Sequence, residues 1–158
     1  MNKICLILLV FLIPFCANAQ TSDDFKKMDR AAAFKGLAFQ TTESDFLKKF
    51  SAKKIDSINS GTFTSYKIDN TQFLTIDSIR FASGKINFLN GKLNEFVLSA
   101  DAKSKTEKDL FIQYLTKKLG KPTCHQNTCL WEGLFIICAF DYEPAAKKVF
   151  FTIRQASE

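Results

Sequence analysis

A single dipeptide, Asn90-Gly91, commits the middle of this chain to a β-hairpin. Both residues tolerate positive φ, which a type I′ turn requires at its two central positions. Residues 85–89 and 92–98 flank it with strand-forming side chains, placing Phe88 opposite Leu93 and Ile86 opposite Glu95. An isolated hairpin is at best marginal in water, so further strands and a covering layer must follow.

The chain supplies both. Residues 62–68 are β-branched, aromatic and roughly alternating, as a strand should be. Asp69-Asn70 makes a turn, residues 73–81 read as another strand, and Ser83-Gly84 breaks it as a bulge or tight turn. Residues 33–39 read as a strand, and three more are expected at 129–132, 135–142 and 148–154.

Helix signals alternate with these. Ser104-Lys105-Thr106-Glu107 is a capping box, in which hydroxyl and carboxylate each satisfy a free N–H of the first turn. Leu110, Phe111, Tyr114, Leu115 and Leu119 then form a stripe at helical spacing. Lys117 and Lys118 suit the negative end of the helix dipole, and Gly120 and Pro122 stop the helix. Thr42 caps a shorter helix with Phe46, Leu47 and Phe50 inward. Ser22-Asp23-Asp24 is a cap for a third, carrying Phe25 and Met28, in a polar arm over 20–32 expected to stay mobile. The sum is an α+β domain over 33–158: mostly antiparallel β-sheet with one long and one or two short helices packed on one face. The order suggests two related helix–strand halves.

Residues 1–19 have a different character. A basic start at Lys3, an apolar run over 4–16 and Ala17-Asn18-Ala19 make up an export signal with cleavage before Gln20. The run is shorter than the about 20 residues of a membrane-spanning helix. No later stretch is long and apolar enough, so the mature chain is expected to have no transmembrane span and to be periplasmic or secreted. Phe15 before Cys16 does not suit lipid attachment, which favours a small residue there.

Net charge is +6, but the only arginines are Arg30, Arg80 and Arg154, and the lysines are scattered in pairs. Phosphate and base recognition lean on the planar Arg fork, so no nucleic-acid partner is expected. The glycines form no phosphate-cradling loop, and no cofactor is expected.

Cys124, Cys129 and Cys138 survive export, and in an oxidising compartment two should pair. A hairpin loop at His125-Gln126-Asn127-Thr128 would set Cys124 opposite Cys129. A type II′ turn at Gly133-Leu134 would instead set Cys129 opposite Cys138. With His125 the same residues hold ligand-type atoms, yet lack the tight paired spacing of structural zinc sites, so no metal is expected. His125 is the only histidine, and no nucleophile motif surrounds any serine. Asp23, Asp24, Glu43, Asp45, Glu107 and Asp109 are explained by the opening turns of helices. No catalytic set is identified. The binding candidates are His125, Gln126, Asn127, Thr128 and Trp131, on or near one loop.

The stretch Gln40-Thr41-Thr42-Glu43-Ser44-Asp45-Phe46 resembles the helix entry of the SmpA-like outer-membrane assembly lipoprotein and β-lactamase-inhibitor-protein-like group, of Gly-Met-Thr-x-x-Glu-Val type. Thr42, Asp45 and Phe46 match in kind, and the Gly and Met are absent. The resemblance implies a non-enzymatic protein-binding role in the envelope, with another exported or envelope protein as partner. The alternatives are a small envelope-directed hydrolase, working through scattered acids or Cys138, and a purely structural envelope protein.

Overall fold

The computed structural model describes residues 21–58 and 62–156; the expected signal and its cleavage point lie outside them. Eight strands form one antiparallel sheet in the order β3 (Lys53–Ile58), β4 (Phe63–Ile68), β7 (Ser83–Leu89), β8 (Lys92–Asp101), β12 (Lys148–Gln155), β11 (Ile136–Glu143), β10 (Thr128–Glu132), β9 (Thr123–His125). Helix α2 (Glu43–Lys49) precedes the first four, α3 (Lys105–Leu119) the last four, and the two runs meet where β8 pairs with β12. Two two-stranded pieces, β1–β2 (Ala33–Phe34, Leu37–Ala38) and β5–β6 (Thr75–Ile76, Ile79–Arg80), complete the strands.

The local signals act as their chemistry requires. Asn90 and Gly91 have φ of 52° and 71°, and Phe88 faces Leu93. A bulge after Asn87 then inserts one residue into β8. Asn87 therefore faces Glu95 and Ile86 faces Phe96, correcting the expected pairing of Ile86 with Glu95. Residues 33–39 and 73–81 are not continuous strands. Lys35 and Gly36, at φ 52° and 78°, fold the first into β1–β2, and Asp77, at φ 53°, helps to turn the second into β5–β6. Strand β3 escaped the sequence reading because its side chains from Lys53 to Ser57 are exposed and show no apolar alternation; such lysine-bearing strands suit a sheet edge.

One face of the sheet carries the core. Phe46 of α2 sits 5.4 Å from Phe88, and Phe111 of α3 sits 6.5 Å from Phe140, ring centre to ring centre. Phe73 and Phe81, at the two ends of the β5–β6 segment, meet Phe96 at 5.8 Å and Phe151 at 6.1 Å. In α3 the inward residues are Phe111, Leu115 and Leu119, with Ile112 partly buried; Leu110 and Tyr114 are exposed. The five-residue stripe is therefore wider than the buried one. Leu47 of α2 is exposed as well.

Residues 21–32 pack on the domain and are not the mobile arm expected over 20–32. Its helix α1 (Asp23–Ala31) is capped by Ser22, whose hydroxyl accepts from the Phe25 N–H and donates to the Lys118 carbonyl at the end of α3. Phe25 is buried in the core. Asp29 is buried too, and its carboxylate accepts backbone N–H bonds from Leu134 (3.0 Å), Phe135 (2.8 Å) and Ile136 (2.9 Å). One aspartate thus satisfies three donors in the turn between β10 and β11.

Tyr66 of β4 packs among Phe46 and Phe88 and donates its hydroxyl to Glu43. Burial first, then the Glu43 hydrogen bond and charge, push its pKa up to about 12. The folded value lies above the unfolded one, so the Tyr66 contribution is complete below pH about 10 and fades as pH rises towards 12. Ultraviolet titration of the folded protein should show an ionisation near pH 12 that is missing from Tyr66→Phe. No difference between the two curves would refute the assignment.

Candidate functional site

The central strands carry apolar residues at consecutive positions, as strands buried on both faces do. Strand β12 reads Val149-Phe150-Phe151-Thr152-Ile153, and β11 begins Ile136-Ile137-Cys138-Ala139-Phe140. Yet α2, α3 and the β5–β6 segment pack on one side only. Val149, Phe151, Ile153, Ile136, Cys138 and Phe140 fill the core. Their neighbours Phe150, Thr152, Ile137 and Ala139 stay partly exposed on the other side.

Register extends this open face across the sheet. Lys85 faces Val97, Val97 faces Thr152, Thr152 faces Ala139 and Ala139 faces Leu130. Outward from Lys85 the same row continues through Lys67 to Lys53 on the edge strand. Beyond Lys85 the row is apolar except for Thr152, and its other part is three lysines in register, an arrangement that like-charge repulsion opposes. Lys67 is relieved by Asp69 at 3.0 Å, an exposed pair. Hydrogen-bonded polar pairs flank the apolar part. Ser65 donates to Asn87 at 2.6 Å and Asn87 donates to Glu95 at 2.6 Å, while Ser83 and Ser99 share a bond of 2.7 Å.

The candidate loop lies at the far edge of this face. His125 pairs with Thr128 across a two-residue turn, and Thr128 donates to Asp141 at 2.6 Å. His125, Gln126 and Asn127 are exposed. Trp131 does not join them. It alternates onto the core face, is 1% exposed, lies 6.1 Å from Phe151, and donates its indole N–H to the Gly120 carbonyl at 2.7 Å. With its ring enclosed and its one donor used, Trp131 offers no surface to a partner.

Cys124 and Cys129 are opposite one another and joined by a disulfide. The alternative bridge fails on register. Four residues, 133–136, lie between the paired Glu132 and Ile137, so Trp131 faces Cys138 and Cys129 faces Phe140. Cys138 remains a free thiol with no exposed area. Burial, and secondarily the charge of Asp29, push that thiol well above the usual cysteine range, away from the thiolate that a nucleophile needs. Alkylation of native residues 20–158 should modify no cysteine, and alkylation after unfolding without reductant should modify one. Three modified cysteines there would contradict the disulfide. Reducing so short a ring should remove only about 2 kcal/mol of stability.

The acids stay apart. Asp24 bridges Lys118 at 2.8 Å, Asp45 bridges Lys48 at 2.8 Å, and Glu107 accepts the Lys103 N–H as a cap. The Lys118 hydrogen bond and charge hold Asp24 below its ordinary value, and Lys48 and Thr42 do the same for Asp45. In the stretch that carries the family resemblance, Thr42 caps α2, accepts from the Asp45 N–H, and Phe46 is buried. Among the described residues no helix is long and apolar enough to cross a membrane. No family model, curated protein or solved structure matches the chain.

Proposed function

We propose that this chain is a non-catalytic protein-binding module of the cell envelope or secretome, of the inhibitor, immunity or assembly type. One observation carries the reading. Strands β11 and β12 carry apolar side chains on both sides, with Ile137, Ala139 and Phe150 on the outer one, and among the described residues only the inner side is covered. A partly exposed apolar strip bordered by Ser83, Ser99 and Glu95, with Ser65 and Asn87 buried beside it, has the make-up of an interface centre and part of its rim. The partner's apolar contact would lie over Val97, Phe150, Thr152 and Ala139, with acidic side chains towards Lys53, Lys67 and Lys85. His125, Gln126, Asn127 and Thr128 would form the opposite rim.

Two further points agree with this. The disulfide fits an oxidising compartment outside the cytoplasm, as the signal-like residues 1–19 do. The entry to α2 keeps the features on which the likeness to the SmpA-like and β-lactamase-inhibitor-protein-like group rests, and we read the runs α2–β8 and α3–β12 as two related halves. The hydrolase alternative loses its cysteine, since Cys138 is enclosed and held as a thiol. Affinity capture with residues 20–158, from an envelope and secretome extract of the source cells, tests the proposal. One protein retained in stoichiometric amount is expected. Turnover of envelope polymers by the purified chain, with no protein retained, would overturn it.

A further inference from the structure

The layer covering the core face has a gap. Between α1, the β1–β2 turn, the β5–β6 turn and the end of α3 lies a cavity of about 440 Å³, within the range of about 300–1,000 Å³ typical of small-molecule sites. Its walls are mostly apolar, with Ala31 exposed, Met28 and Ala33 facing solvent in part and Phe34 deeper. Phe151 of the sheet has no exposed area, so it backs the cavity without forming its open surface.

The charges gather at the mouth: Asp24, Lys27, Lys35, Asp77 and Lys118. Asp24 is bound to Lys118 at 2.8 Å, and Asp77 also acts on Lys118. Lys27 feels Asp24 at longer range but makes no ion pair among the described residues, and neither does Lys35. The two acids are thus directed at one lysine, while two exposed ammonium groups stand free beside an apolar wall. That combination selects a ligand with an anionic head and a hydrocarbon tail.

We infer that this cavity binds a single-chain amphipathic anion, its tail against Met28, Ala31 and Ala33 and its head at Lys27 and Lys35. A fatty-acid carboxylate and a lysophospholipid phosphate share that chemistry. The inference is independent of the proposed protein partner, because the cavity opens on the helical side of the sheet.

Calorimetric titration of the mature chain tests it, using dodecanoate and a lysophosphatidylglycerol of the same chain length below micelle-forming concentrations. Saturable one-to-one binding of at least one anion is expected, and the tighter of the two identifies the source. The double variant Lys27→Glu/Lys35→Glu should weaken binding at least tenfold. Ala31→Trp, at an exposed position, should block the cavity and abolish it. Failure of both anions to saturate would overturn the inference. So would equal binding of dodecyltrimethylammonium, or undiminished binding by the double lysine variant.

Discussion

Phe96→Ala is expected to lower folding stability by about 3–5 kcal/mol, the range for truncating a fully enclosed aromatic ring. Phe96 lies on β8, one of the two strands at which the halves of the sheet meet, and has no exposed area. Its ring touches Phe34 of the β1–β2 hairpin at 5.0 Å, Phe39 at 5.9 Å and Phe73 before β5 at 5.8 Å. Truncation removes its apolar area and also the edge and stacking contacts that hold two short hairpins to the sheet. Urea unfolding should show a lower midpoint with an unchanged slope. A loss below about 1 kcal/mol would mean that these hairpins do not pack on the sheet as described.

Asp29→Ala should cost a similar amount, about 3–5 kcal/mol, for a different reason. It strands three backbone donors that one carboxylate satisfies, those of Leu134, Phe135 and Ile136. It also severs the tie between α1 and a turn over a hundred residues away in sequence. Gly133 is part of the same device, because a Cβ there would stand 2.2 Å from an Asp29 carboxylate oxygen. Gly133→Ala should therefore be strongly destabilising in the native chain and nearly neutral in the Asp29→Ala background. Additive losses in that double-mutant cycle would contradict a shared origin.

These two residues also mark what the sequence makes legible. Signals satisfied within a few residues are readable: the Asn90-Gly91 turn, the Ser104 and Thr42 caps, and the Cys124–Cys129 hairpin all depend on near neighbours. Asp29 is not readable, since in α1 it resembles any other charge of a polar helix and its partners lie in another element. Bulges hide for a related reason. The extra residue opposite Asn87 leaves the apolar pattern intact on each strand and shifts only their pairing. The Gly133-Leu134 turn misleads the register because four residues, 133–136, separate the paired Glu132 and Ile137, two more than the dipeptide suggests.

Of the candidate site, the loop at His125–Thr128 is visible as a loop, whereas Trp131 looks the same in sequence whether it anchors a partner or fills a core. The open face did leave a trace. Five successive sheet-forming residues in β12 and five apolar ones in β11 imply burial on both sides, and only the three-dimensional arrangement reveals that one side lacks a cover among the described residues.

That uncovered side gives the most direct measurement: titration of the captured partner against native chain, Val97→Lys/Phe150→Lys, and an alanine triple at His125, Gln126 and Asn127. All these side chains are at least partly exposed, so the variants should fold. The double lysine variant is predicted to weaken binding at least tenfold, and the rim triple to weaken it only a few-fold. Native affinity in the double lysine variant would contradict the assignment of the open sheet face as the binding surface.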